Sequence, residues 1–283
     1  MIVTGADAPF FGLVQGTIRS IRDKPQGRGV ALGFLDLGCT PDQLAWLADW
    51  VDVIVQPEWR FPFPQQDQIP SYLKGSYARP HLPEYFPGYQ TYLWIDADAW
   101  VQDWSAVALL AQGAKLRGLA IVPQIDRGST LQYGGMFYEW QITYDWYQAD
   151  FGEQVAQQLW SYPMLNTGAI ALHRDAPHWQ VWADCLQMGL QRNASHLSEQ
   201  LALNWAVYKH GLFKQTEMLP AWCNWTCHWG FPRWDPDRAC LVEPYLPHTP
   251  IGIVHLTATK YERVAVLTLE QQPMEVNLRY GFV

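Results

Sequence analysis

Charge is scarce in this chain, and positive charge is scarcer still. Only 16% of its 283 residues are Asp, Glu, Lys or Arg, against roughly 25% in a typical soluble domain. Acidic residues outnumber basic ones by 27 to 19, for a formal net charge of −8. That leaves no basic stripe to track a phosphate backbone, which argues against a nucleic-acid partner. Disorder is excluded as well, because the hydrophobic fraction is 49% and the length suffices for one large core. No stretch supplies the roughly 18 apolar residues of a membrane span. The opening MIVTGADAPF lacks a basic start followed by a long apolar run, so it does not read as a secretion signal. These absences predict a cytoplasmic protein, with any membrane contact peripheral at the inner face. Cysteine is also sparse: five residues (39, 185, 223, 227, 240) and no CxxC pair. Reduced thiols are the expectation, a zinc site around Cys223, Cys227, His228 and Cys240 is disfavoured, and the sequons at Asn193 and Asn224 carry no weight.

Against this background the stretch TYLWIDADAWV, residues 91–101, stands out. Four large apolar side chains resemble a central strand buried on both faces, and two carboxylates one residue apart follow. If the segment stays extended, Asp96 and Asp98 point the same way. Bare carboxylates so placed repel each other, and desolvation adds to the cost. A divalent cation would relieve both problems, and hard oxygen ligands suit Mg²⁺ or Mn²⁺.

The surrounding chain alternates strand-like and helix-like stretches. Residues 2–4, 30–35 and 51–55 read as strands, and residues 10–21 and 41–50 as helices, the second opened by Pro41. The segment WRFPFPQQDQIP is a loop, and residues 76–85 are helical. Further on, strands are expected at 119–123, 167–172 and 251–255. Helices are expected at 135–150, at 180–190, and at 198–208 with Ser195 or Ser198 as cap. Strands separated by helices indicate an α/β sheet, and such sheets bind ligands at the carboxyl ends of their strands, where Asp96 falls.

In order and content the chain resembles the family 8 glycosyltransferases. IVTGADAPFFGLVQGTIRSIR is similar to that family's first strand and helix, YARPHLPEYFPGYQTYLWIDADAWV to its approach to the acidic pair, and LNTGAIAL to its Asn-x-Gly strand. SEQLALNWAVY resembles its acidic-Gln helix start, and VHLTATK its late His-containing segment. The resemblance implies an α/β GT-A type, Rossmann-like nucleotide-binding sheet flanked by helices, with an intimately attached acceptor lobe. It implies one domain over 1–283: a nucleotide-sugar lobe to about 104, an acceptor lobe with metal-site closure to about 260, and a C-terminal tail over 261–283. It implies transfer of a hexose from a nucleotide diphosphate sugar, a UDP-sugar, to a saccharide or glycolipid acceptor, with retention of configuration. By the same resemblance Thr4 and Asp7 meet the uracil, while Asp96, Asp98 and His255 hold Mn²⁺ or Mg²⁺. Arg79 and Lys260 add fixed positive charge at the phosphates, and Asn166, Glu199 and Gln200 hold the sugar.

The chain departs from the family pattern in four places, one of them Tyr261-Glu262 where Pro-Trp often follows. Ala258 stands where glycine is usual, Lys260 arrives one residue early, and Glu199 replaces an aspartate. These departures keep open a second reading, a scaffold that binds sugar or nucleotide without turnover. An aspartyl-phosphate phosphatase fits poorly, since Trp100 stands where that chemistry wants Thr or Val. Ordinary structural roles compete for each residue as well. Arg79 could pair with Glu84, His255 could be a core histidine, and Glu199 could complement its helix dipole. The tryptophans at 222, 225, 229 and 234 are candidates for stacking on an acceptor sugar.

Overall fold

A computed structural model describes residues 1–127 and 130–282, with the backbone alone over 130–139. The chain opens with strand β1 (Ile2–Ala6), helix α1 (Phe11–Arg22), β2 (Leu32–Asp36), α2 (Pro41–Ala48) and β3 (Val53–Val55). After the Pro-rich loop come α3 (Leu73–Ala78), α4 (Leu82–Tyr85), β4 (Thr91–Ile95) and β5 (Ala99–Val101). The middle of the chain holds α5 (Trp104–Arg117), β6 (Leu119–Pro123), α6 (Thr130–Phe151), α7 (Glu153–Leu159), β7 (Leu165–His173), α8 (His178–Leu190) and α9 (Ser198–Lys209). Its last quarter is rich in short strands: β8 (Thr216–Met218), β9 (Trp225–Thr226), β10 (Arg233–Asp235), β11 (Cys240–Val242), β12 (Ile253–His255), β13 (Val264–Thr268) and β14 (Pro273–Val276). The expected tail thus contains two paired strands.

Local chemistry accounts for much of this. Thr40 and Gln43 form a reciprocal capping box at the start of α2, with Pro41 at its first position. The helix expected over 76–85 breaks instead into α3, a 3₁₀ turn at Arg79–His81 and α4. Pro80 and Pro83 explain the break, since neither can donate a helical N–H. Neither Ser195 nor Ser198 caps α9 as expected. The cap is Leu197 without a side-chain bond, and Ser198 Oγ instead accepts from the Ser195 N–H at 2.8 Å.

The main sheet runs β3-β2-β1-β4-β7-β6-β8. Strands β1 to β4 are mutually parallel, whereas β7 runs antiparallel to both neighbours. Along β4 the alternation is clean. Tyr92 and Trp94 face α3, α8 and α9, while Leu93 and Ile95 face α1 and α5. Burying such side chains on both faces contributes roughly 1.5–3 kcal/mol each, so the register of β4 is strongly specified.

That register places the site. Because β7 is antiparallel to β4, Ala169 lies opposite Ile95 and the beginning of β7 lies beside the end of β4. Residues 166–168 therefore flank Asp96, whose N–H bonds the Gly168 carbonyl at 2.8 Å. A second, three-stranded sheet (β5-β12-β9) sets His255 opposite Ala99, next to Asp98.

Candidate active site

Residues 96–98 are not extended. The Ala99 N–H closes a turn onto the Asp96 carbonyl at 3.0 Å, and Thr17 of α1 holds that turn from below. Its hydroxyl lies 2.9 Å from the Ala97 carbonyl and 2.6 Å from that of Ala99. The carboxylates converge for a different reason than strand periodicity, namely that both meet His255. His255 Nε2 lies 3.7 Å from Asp96 Oδ2 and 3.4 Å from Asp98 Oδ1.

The other oxygen of each acid is already engaged. Asp96 Oδ1 accepts from Arg79 Nη2 at 2.6 Å and from Trp94 Nε1 at 2.7 Å. Asp98 Oδ2 accepts from Lys260 Nζ at 3.0 Å. One oxygen per carboxylate and one imidazole nitrogen therefore face a common point, with ligand atoms of all three residues within 4.8 Å of one another. Two hard oxygens and one imidazole suit a divalent cation. The space they enclose is protected by a missing side chain. A Cβ on Gly168 would lie 2.2 Å from His255 Cε1 and 2.8 Å from Asp96 Oδ2. Gly168 is needed here because His255 and Asp96 approach its backbone closely.

Electrostatics follow from this packing. Burial pushes the Asp98 carboxyl up, but the bond and charge of His255, then those of Lys260, outweigh it and hold the group well below the usual carboxylate range. Burial pulls His255 down, and the neighbouring carboxylates more than restore it, leaving its pKa raised. His228, by contrast, is pulled down to about 4 by burial and by the charges of His255 and Lys260. Its Nδ1 lies 2.6 Å from Thr257 Oγ1, tying it to the segment that carries Lys260.

Across from the acidic turn, Arg79 is buried and does not pair with Glu84. Glu84 is taken by Arg60 and His81. Arg79 Nη1 instead donates to Glu199 Oε2 and Thr167 Oγ1, both at 2.9 Å, and its guanidinium lies over Trp94 at 4.7 Å. Glu199 is 1% exposed, and its Oε1 has no hydrogen-bond partner among the described residues. Burial raises its carboxyl to about 7, against the pull of Arg79. Gln200 Oε1 accepts from the Thr167 N–H at 3.1 Å. Asn166 Oδ1 accepts from the Gly168 N–H and from Asn224 Nδ2, both at 2.8 Å.

These groups line a cleft of about 610 Å³ that reaches from Gly5 and Asp7 past the acidic turn to Tyr72, Trp146 and Lys260. Asp7, Arg79, Asp96, Asp98, Asn166, Glu199, Gln200, His255 and Lys260 all contribute to its wall. Thr4 does not. It lies one residue deeper in β1, fully buried, with its hydroxyl unpartnered among the described residues. Of the four clustered tryptophans only Trp229 reaches the cleft, and Trp225 is core.

Among solved structures, the galactosyltransferase LgtC in complex with donor and acceptor sugar analogs matches with a TM-score of 0.55 at 17% identity, over 92% of this chain and 87% of that one. An active-site mutant of LgtC matches with a TM-score of 0.52 at 17% identity, over 90% of this chain and 86% of that one. The bifunctional glycosyltransferase WbbM gives 0.50 at 14% identity, over 80% of this chain and 39% of that one. This is a GT-A fold. No protein-family model and no curated protein matches the chain.

Within the GT-A fold, sequence reasoning missed Trp94, Thr167 and Asn224. Trp94 was findable, since it sits two residues before Asp96 on the same face of β4. Thr167 is the middle residue of the Asn-x-Gly strand and carries no signal of its own. Asn224 is 2% exposed amid aromatic, turn-rich sequence, and nothing local marks it.

Proposed function

We propose that the protein is a metal-dependent glycosyltransferase. It would move a hexose from a UDP-sugar to a saccharide or glycolipid acceptor with retention of configuration. The observation that carries this reading is the division of labour in the acidic turn. Each carboxylate commits one oxygen to a cation of the protein and turns the other toward His255. Asp96, Asp98 and His255 would hold Mn²⁺ or Mg²⁺, which would supply charge stabilisation for a departing diphosphate.

The remaining roles fall to the chain itself. Asp7 lies at the end of the cleft nearest β1 and is suited to the nucleoside, with Thr4 supporting from beneath. Lys260 lines the cleft and brings a point charge toward phosphate oxygens. Arg79 has both terminal nitrogens engaged by protein groups, so it orients Asp96 and Glu199 while adding positive charge at short range. Glu199 Oε1 and the side-chain amide nitrogens of Gln200 and Asn166 are suited to sugar hydroxyls. They serve to fix the reacting carbon against an acceptor oxygen approaching from the diphosphate's own face. Tyr72 and Trp146 are partly exposed at 47% and 37% and line the same cleft, offering flat apolar faces to an acceptor saccharide.

A panel of nucleotide sugars with Mn²⁺, followed by UDP release and product analysis, tests this reading. Release from at least one UDP-hexose, lost in excess chelator, is expected. Silence across the panel would overturn it. One observation favours the binding-only alternative, namely that Lys260 is paired to Asp98 rather than projecting free. Calorimetric binding of UDP and Mn²⁺ without release or transfer would select that alternative.

A further inference from the structure

We propose that Asn224 is a positioning residue that selects the ring form of His255 and presents its Nε2 to the acidic turn. The inference begins at a group whose role is unambiguous: the Gly168 backbone N–H can only donate. It donates to the Asn166 side chain at 2.8 Å, so the Asn166 atom there is the carbonyl oxygen. The same oxygen is contacted at 2.8 Å by the Asn224 side chain, and that contact holds only if Asn224 offers its NH₂. The other end of the Asn224 amide is then the carbonyl, and it lies 3.1 Å from His255 Nδ1. Nδ1 must therefore carry the proton. In the neutral imidazole the bare lone pair is left on Nε2, the nitrogen that faces Asp96 and Asp98.

Each link in this relay is shielded. Asn166, Asn224 and His255 are 7%, 2% and 4% exposed, so water does not compete and the order of donors and acceptors is enforced. The relay also gives Gly168 a second task. Its missing side chain opens space beside the imidazole, and its N–H sets the sense of the whole chain of bonds. Metal-ligating histidines characteristically donate their second N–H to a fixed acceptor, and losing that acceptor weakens metal binding about 10–100-fold.

This inference rests on the metal reading above, but it is testable apart from turnover. In metal-free protein labelled with ¹⁵N-histidine, at a pH above the imidazole's titration, the His255 ring should show its proton on Nδ1. A proton on Nε2 overturns the proposal whatever the enzyme does. Asn224→Leu should weaken Mn²⁺ binding about 10–100-fold, followed by electron paramagnetic resonance without nucleotide. Asn224→Asp keeps an acceptor for Nδ1–H but loses the NH₂ that Asn166 Oδ1 accepts, so it should bind Mn²⁺ more tightly than Asn224→Leu. Equal Mn²⁺ affinity in Asn224→Leu and wild type overturns the proposal. If wild type binds no Mn²⁺ at all, the metal reading fails, while the ring measurement still decides the tautomer. That measurement uses the unaltered protein, so misfolding of a variant cannot obscure it.

Discussion

The two walls of the cleft are built on opposite electrostatic plans. On the wall of the acidic turn, two carboxylates and an imidazole leave three ligand atoms facing one another. On the wall formed by Arg79, Thr167, Glu199 and Gln200, charge is neutralised internally, and the buried Glu199 Oε1 has no partner among the described residues. The first wall is suited to a cation. The second is suited to neutral hydroxyl groups, because a further full charge there would have to displace the Arg79–Glu199 pair. Arg79 joins the walls by reaching Asp96 with one nitrogen and Glu199 with the other.

If that contrast is right, breaking the first wall should remove chemistry and breaking the second should remove stability. Asp98→Ala is expected to lower metal-dependent UDP release by at least about 10²–10³-fold, the scale of a lost electrostatic stabiliser. Far-UV circular dichroism should be unchanged. Wild-type release from the variant would show that the acidic turn is only a solvated corner.

Arg79→Met strikes the second wall. It leaves Glu199 buried without its counter-charge, and breaking such a pair costs about 3–5 kcal/mol. Urea unfolding should show this loss at pH 8 and a smaller one at pH 5, where Glu199 can take a proton instead. An equal loss at both pH values would mean that Glu199 is not the group left stranded. Gly168→Ala lies between the walls. Its Cβ would meet His255 Cε1 at 2.2 Å, so a destabilisation of about 1–3 kcal/mol, typical of overpacking, is expected. Weakened Mn²⁺ binding should accompany it, and thermal unfolding with a metal titration reads both.

The second wall also has a pH signature. Burial raises Glu199 to about 7 from an ordinary 4.5. A carboxyl raised on folding binds its proton more tightly in the native state. Its contribution to stability is therefore full below about pH 4.5 and is lost as pH rises through about 7. Glu199→Gln should flatten the fall in stability across that window. A slope identical to wild type would assign the fall to another group.

The contrast explains what was legible in the sequence. Asp96, Asp98 and β4 are neighbours in the chain, so periodicity and composition announce them. The start of α2 at Pro41 was readable for the same reason. The turn at 96–99 was not, because it is held by Thr17 from a helix some 80 residues earlier. Asn224 was invisible because its partners, Asn166 and His255, lie 58 and 31 residues away, and only the folded register aligns them. Thr4 and the tryptophans at 222, 225 and 234 stand outside the lining of the cleft. Residues of suitable type and order lie a single position too deep, or face the core, and residue type alone does not report that.

Lys260 gives the smallest expected effect and the sharpest discrimination. Its side chain is 21% exposed, against 9% for Arg79, the cation bonded to Asp96. A partly exposed pair of this kind is worth about 0.2–1 kcal/mol, so Lys260→Met should barely change thermal stability. What should change is the competition for Asp98. Without nucleotide, freeing Oδ2 should tighten Mn²⁺ binding by up to about fivefold, the same energy expressed as affinity. With Mn²⁺ saturating, UDP affinity should fall, because the point charge that leaves Asp98 for the phosphates is gone. Opposite signs in the two titrations would identify Lys260 as a group shared between the turn and the ligand. Two unchanged affinities would reduce it to an ordinary surface ion pair, and the first wall would consist of Asp96, Asp98 and His255 alone.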